Sequence, residues 1–297
     1  MVRSCSVSVA SQIRLSTGIS MRVHSAGDGT PAVFLHGFPG LAQCWRRQLA
    51  ELSDSYRVIA PDMRGYGGTD APRSWRHYGL EQHLIPDVLA LLDALNIDRA
   101  HLVGHDLGGL VAWQLAQCHP ERVRSLAALN CPHPAVFLRA LRDDRRQRNR
   151  SVYMLLAQLP WYPERKIARN AERYITRLMR ERAVKPERFS DDELRPYIVQ
   201  ARAGVHGGLN YYRALLRMRP RTHRRIEVPA LLLWGAQDHV LGAELAQASR
   251  YAPHVSDLAI DVIDGAAHWV QIDASERVNQ RLRDHWSRAE QRRGRST

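Results

Sequence analysis

His101-Leu102-Val103-Gly104-His105-Asp106-Leu107-Gly108-Gly109-Leu110 runs from an apolar stretch through a glycine-flanked turn into a helical pattern. Short apolar runs bounded by glycine read as buried strands. Glycines at 104, 108 and 109 suit a turn too tight to admit side chains on its neighbours. The layout is small-x-nucleophile-x-small, a strand-to-helix turn that exposes one side chain at the carboxyl end of a strand. Asp106 stands where serine is commonest. Taken alone, the segment also fits a plain glycine-rich turn with an N-capping aspartate. Its surroundings decide between the two.

Outward from this turn, further apolar runs occupy residues 32–35, 57–60, 123–129, 230–234 and 258–263. Apolar residues at helical spacing lie between or after them, at 84–95, 110–116 and 278–286. Alternating strand and helix predicts an α/β fold whose central sheet is mostly parallel and covered on both faces. Chemistry in such sheets collects at the carboxyl ends of the strands. The alternation stops between about 134 and 220, a region rich in arginine and aromatics and punctuated by Pro160, Pro163, Pro186 and Pro196. It reads as a helical cap inserted between two parts of one core, residues 1–133 and 221–297. The segment before Gly18 receives no assigned role.

With 297 residues, 44% hydrophobic and 25% charged, the chain has the composition of a globular protein. Its net charge of +13 comes almost entirely from arginine; Lys166 and Lys185 are the lysines. The arginines are spread along the chain, and the denser run at 139–150 alternates with Asp143, Asp144, Gln147 and Asn149. That run reads as a solvated helix face, with a patch for an acidic partner as the alternative, and no nucleic-acid partner is expected. Cys5, Cys44, Cys118 and Cys131 form neither a C-x-x-C pair nor a metal-type cluster and are expected as free thiols. A secretory leader and a membrane span are both absent from the pattern, so a cytoplasmic protein is expected. Oligomeric state is not legible.

Other pieces fall in a consistent order. His36-Gly37-Phe38-Pro39 follows the run at 32–35, where a loop would offer the Phe38 N–H beside the Leu107 N–H as an oxyanion hole. Pro39 is a candidate pocket wall. Gly235-Ala236-Gln237-Asp238 closes the run at 230–234, and His268 sits in Gly265-Ala266-Ala267-His268-Trp269. The order is therefore nucleophile, acid, histidine. Asp238 is the expected acid, with Asp264 and Asp273 as rivals. Trp269 is either a pocket wall or packing, and Trp45, Trp113 and Trp161 read as packing. The segment Asp62-Met63-Arg64-Gly65-Tyr66-Gly67 reads as a structural loop in which Arg64 pairs with a nearby carboxylate.

From about residue 21 to 286 these motifs resemble the epoxide hydrolase branch of the α/β-hydrolase superfamily. The resemblance rests on His36-Gly37-Phe38-Pro39, the Asp62–Gly67 stretch, Gly104-His105-Asp106, Gly235-Ala236-Gln237-Asp238 and His268-Trp269. It implies an α/β-hydrolase fold with a helical cap whose two catalytic tyrosines match Tyr153 and Tyr212, with Tyr211 and Tyr162 as rivals. It also implies opening of a small apolar epoxide to a vicinal diol through an ester on Asp106. No metal or organic cofactor is called for. The residue types suit that chemistry. A carboxylate with a reference pKa of about 3.9 attacks without an activating base, and phenols with a reference pKa of about 10 donate to the alkoxide that develops. Leu107 departs from the tryptophan common in that position among relatives. It also lacks the side-chain N–H that a haloalkane dehalogenase uses for halide. Dehalogenation by the same aspartate, and a non-catalytic binding protein of this fold, stand as alternatives.

Overall fold

Eight strands form one sheet in the computed structural model, which describes residues 9–217 and 224–294. They are β1 Val9–Arg14, β2 Ser20–Ala26, β3 Thr30–Leu35, β4 Tyr56–Pro61, β5 Ala100–His105, β6 Val123–Leu129, β7 Ala230–Gly235 and β8 Leu258–Ile263. Their order is β1-β2-β4-β3-β5-β6-β7-β8. Every pairing from β4 through β3 to β8 is parallel, and β1 and β2 are antiparallel additions at one edge. The aliphatic runs go to the centre, because a parallel strand has both faces covered. All six residues of β5 and of β7 are buried. The two antiparallel strands escape the apolar-run signal: β1 is largely exposed, and β2 buries Met21 and Val23 between polar neighbours.

The helices are α1 Arg46–Leu52, α2 Ile85–Ala94, α3 Leu107–Cys118, α4 Pro134–Asp143, α5 Arg145–Arg150, α6 Tyr153–Leu156, α7 Tyr162–Arg169, α8 Ala171–Ile175, α9 Asp191–Ala203, α10 His206–Leu215, α11 Val270–Asp273 and α12 Ser275–Gly294. Between β6 and β7 lie α4 to α10, and among the described residues that stretch holds no strand. The expected boundary at 220 falls outside the described residues, as does Cys5. Cys44, Cys118 and Cys131 are free thiols. Among the described residues no helix is long and apolar enough to cross a membrane, and no cluster of three metal-ligating side chains occurs.

The arginine-rich run forms two helices rather than one face. Asp144 ends α4 in extended backbone, and its Oδ1 accepts from the Arg146 and Gln147 amides to start α5. A capping box of Ser190 and Glu193 starts α9 in the same way. Polar ties fasten the inserted helices to the core. Arg188 reaches the Ile272 carbonyl and Glu276, Gln147 reaches the Val240 carbonyl, and Arg46 pairs with Glu193. Arg64 is buried in a two-pronged pair with Asp87, at 2.6 and 2.7 Å. Trp45 and Trp113 are core residues as expected. Trp161 is not: it is 70% exposed, because its backbone turns left-handed (φ 57°) just ahead of α7 and aims the indole away from the packing.

Candidate active site

The carboxyl end of β5 turns into α3 within one residue, Asp106, whose φ of 52° and ψ of −123° lie outside the regions that L-residues favour. Such strain, on the order of 1–3 kcal/mol, persists only where the surroundings over-determine it. Two glycines leave the turn no slack. A Cβ on Gly108 would stand 2.2 Å from the Leu35 carbonyl oxygen, and one on Gly104 would stand 2.4 Å from that of Gly108. The plain capped-turn reading fails here, since the Asp106 side chain makes no cap bond to α3 beyond its own neighbour and faces a cavity instead.

One carboxylate oxygen of Asp106, Oδ1, accepts from the Phe38 N–H at 2.9 Å, and the Leu107 N–H also donates to the carboxylate. His36 holds the Phe38 loop in place. Its Nε2 accepts from the Met63 N–H at 2.9 Å, so its Nδ1 donates to the Gly37 carbonyl at 3.0 Å. The other oxygen, Oδ2, lies 3.8 Å from His268 Nε2. His268 Nδ1 donates to Asp238 Oδ2 at 2.8 Å. Asp238 is saturated with donors: Asn130 Nδ2 at 2.7 Å on Oδ2, and the Val240 and Leu241 amides at 2.7 and 3.0 Å on Oδ1. Asn130 accepts in turn from the Gly235 N–H at 3.2 Å, linking the ends of β6 and β7.

Charge and burial set the protonation states. Burial raises the Asp106 pKa, and His268 with the two amides limits the rise. Burial works against the Asp238 charge too, but His268 and the hydrogen-bond donors outweigh it and the pKa falls. For His268, burial alone would lower the pKa; the carboxylates of Asp238 and then Asp106 outweigh it, and the pKa rises. His105, next to the elbow, is pushed down to about 3 by burial and by the neighbouring imidazole. It is therefore neutral, and its Nε2 donates to the His268 carbonyl at 2.9 Å.

Two tyrosines from the inserted helices line the same cavities as the carboxylate. Tyr153 on α6 and Tyr212 on α10 meet edge to face, with ring centroids 5.5 Å apart and a hydrogen bond between their side chains. Burial first, and the Asp106 charge among the further causes, raises both phenol pKa values, so both hold their protons. The rivals go elsewhere. The Tyr211 hydroxyl donates to the Arg64 carbonyl at 3.0 Å, and Tyr162 is exposed beneath the Lys166 ammonium. Asp264 is likewise exposed. Asp273 accepts from the Ala267 N–H at 2.8 Å and so fastens the loop carrying His268.

Cavities reach Asp106 from two sides. One, of about 110 Å³, is apolar: Leu110, Phe137, Leu138, Leu141, Leu215 and Leu241 are among its walls, with Tyr153 and Tyr212. The other, of about 610 Å³, includes His268, Trp269, Arg150, Arg177, Arg182 and His239. Trp269 is thus both wall and packing, buried against the His105 ring. Pro39 is buried and lines neither cavity. Asn130 and His105 escaped the sequence reading. Asn130 carries a visible signal, an amide directly after β6 at the carboxyl edge of the sheet. His105 lies inside the elbow motif but resembles filler until the His268 loop folds over it.

A carboxylate anchored by two amides, a histidine-carboxylate pair behind it and two protonated phenols before it can attack carbon, donate protons and activate water. The family model of the alpha/beta hydrolase fold matches residues 30–275. Epoxide hydrolase 4 of Homo sapiens is 36% identical over 272 residues, covering 89% of this chain and 74% of that protein. Epoxide hydrolase A of Mycobacterium tuberculosis is 35% identical over 294 residues, covering 86% and 90%. A solved structure of a Bacillus megaterium epoxide hydrolase in complex with an inhibitor superposes with a TM-score of 0.84 at 26% identity, over 93% of this chain and 100% of that one. With its aspartate elbow and paired tyrosines, the chain belongs to the epoxide hydrolase branch of the α/β-hydrolase superfamily.

Proposed function

We propose that the protein opens an apolar epoxide to a vicinal diol through a covalent ester on Asp106. The observation that carries this reading is the division of labour between the two Asp106 oxygens. Oδ1 accepts from the Phe38 amide, the Leu107 amide donates to the same carboxylate, and Oδ2 is turned toward His268 and the cavity. Oδ2 attacks an epoxide carbon as Tyr153 and Tyr212 hydrogen-bond to the ring oxygen and protonate the alkoxide. Oδ1 becomes the ester carbonyl oxygen, already in the place where negative charge develops next. His268 then takes a proton from water and the hydroxide attacks the ester carbonyl carbon. Asp238 stabilises the imidazolium, and the two amides hold the tetrahedral oxyanion until it collapses; the departing alkoxide takes the imidazolium proton to complete the diol, and the proton of the new Asp106 carboxyl returns to the tyrosine. Helices within residues 134–220 serve as the cap that carries the tyrosines, set between core segments 1–133 and 221–297.

The apolar walls around Leu110, Phe137 and Leu215 support a small apolar substrate. Leu107 supports epoxide over halide chemistry, because its side chain offers no N–H to a departing halide. Action within the cytoplasm is part of the same proposal. The test is a single turnover in heavy-oxygen water with excess enzyme. The label is expected in the Asp106 carboxylate, and Asp106→Ala is expected to give no diol. Label appearing directly in the diol, or halide released without a diol, would overturn the proposal.

A further inference from the structure

Twelve large apolar or aromatic side chains are exposed among the described residues, and six of them, Val152, Leu155, Leu156, Leu159, Trp161 and Tyr162, fall within the eleven residues 152–162. Scattered exposure of this kind is ordinary, but its concentration in one short stretch is not. Leu155 is 61% exposed, and the indole of Trp161 stands out from a left-handed backbone that a tryptophan does not favour. Among the described residues these six side chains remain exposed to solvent. Basic side chains surround it. Arg145, Arg146 and Arg148 are exposed on α5 just before it, and Arg165, Lys166 and Arg169 on α7 just after. From 145 to 170 the sole carboxylate is Glu164, and it is held by Arg213 at 2.7 Å.

We propose that residues 152–162 dock the protein on the surface of an anionic phospholipid bilayer. Leucines enter the acyl boundary, Trp161 and Tyr162 sit at headgroup level, and the flanking arginines face the phosphates. A bilayer answers the combination of an apolar tip and a cationic collar. Charge complementarity chooses it over a second copy of this chain, whose own matching face carries the same positive charge.

The patch also borders the way in. Leu156 and Tyr162 line a cavity of about 470 Å³ that shares Phe38, Tyr153, Tyr174, Arg177 and Tyr212 with the cavity beside Asp106. Docking would therefore turn the entrance toward the phase in which an apolar epoxide dissolves. Delivery of substrate rests on the function proposed above, whereas docking itself does not.

The experiment is flotation of the full chain with vesicles, read at low and high salt and with no substrate present. One set is pure phosphatidylcholine and the other contains a third phosphatidylglycerol. Binding to the anionic set at least tenfold tighter than to the neutral set is expected, and salt should weaken it. Leu155→Ser with Trp161→Ser should reduce that binding at least tenfold, as should Arg165→Gln with Arg169→Gln. Each double variant should keep wild-type circular dichroism and melting temperature, since these side chains are exposed. Absence of binding to anionic vesicles overturns the proposal. So does binding that survives the serine pair, which would reduce it to unspecific charge. Wild-type self-association in sedimentation that the serine pair abolishes would assign the patch to a second copy and overturn it equally. Vesicle binding without any epoxide turnover would leave the docking surface standing and remove the function.

Discussion

Asp238→Asn separates the two half-reactions more sharply than any other single change. The carboxylate is buried, bonded to His268 Nδ1 at 2.8 Å, and its remaining lone pairs are filled by Asn130, Val240 and Leu241. Asparagine keeps the shape, and its oxygen can keep the two backbone donors. Its amide nitrogen then meets two donors, Asn130 Nδ2 and His268 Nδ1, so the imidazole is pressed into the wrong tautomer. What disappears electrostatically is a unit charge about 4 Å from the centre of the imidazolium. At an effective dielectric of about 20 that interaction is roughly 4 kcal/mol. If it is present in full when His268 takes the water proton, the hydrolytic step slows by about 10³-fold. Attack by Asp106 needs no base, so ring opening should change by less than about tenfold. The assay is rapid quench with excess epoxide, followed by intact-mass spectrometry. An adduct equal to the mass of enzyme plus epoxide should form at near wild-type rate and persist. Equal slowing of both steps, or steady diol release with no adduct, would refute the assignment of Asp238 to the second step.

Three further outcomes follow from the same geometry. Tyr153→Phe and Tyr212→Phe each remove one charge-assisted hydrogen bond to the alkoxide, about 1.5–3 kcal/mol, so single-turnover ring opening should fall roughly 10- to 100-fold with ester hydrolysis unchanged. A variant of either residue that slows only hydrolysis would contradict their role. Asp106→Asn should melt above wild type at pH 7, each 1 kcal/mol gained raising Tm by about 2–4 °C. Burial raises the folded-state pKa of Asp106, so the stability linked to this group is full below its unfolded value and lost as pH rises through the folded one. The gap in Tm should accordingly close in acid, and a gap constant with pH would count against the linkage. Finally, the pH-dependence of ester hydrolysis should report a lower His268 pKa than histidine NMR finds in the resting enzyme; equal values would sink that expectation.

The elbow at 104–109, the parallel strands and the chain order of Asp106, Asp238 and His268 were legible because each follows from a local rule. An apolar run ends, a glycine turn follows, and a polar residue stands at a strand's carboxyl edge. β1 and β2 were not legible, since an exposed antiparallel edge needs no apolar run. Tyr153 and Tyr212 came through resemblance. Nothing local separates Tyr212 from Tyr211, and only the three-dimensional placement sends one hydroxyl to the Arg64 carbonyl and leaves the other ring against Tyr153. Asp273 shows the converse. It lies in the same short stretch of chain as His268, yet its carboxylate is spent on the Ala267 amide, and the more distant Asp238 reaches the imidazole. Trp161 was misread because burial was inferred from residue type, whereas a left-handed backbone fixes where that indole points.

In the proposed mechanism the Asp106 charge ties the two half-reactions together. In the resting site it helps raise the pKa of His268 and of both tyrosines. A raised tyrosine pKa keeps each phenol protonated while the epoxide approaches, which is the form that can donate. A raised His268 pKa is a handicap for a base, but no base is needed at that stage. Formation of the ester removes the charge. His268 then loses one of its two supporting carboxylates and shifts toward the neutral form just as water must be deprotonated, while Asp238 remains to receive the imidazolium. The tyrosines shift the same way and become easier to ionise, so an alkoxide taking a phenol proton leaves a better-tolerated phenolate. A serine in the elbow could not work in this sequence, because it begins neutral and has no charge to give up. In the proposed mechanism the aspartate is nucleophile in the first step and, by losing its charge, resets the acid and the base for the second.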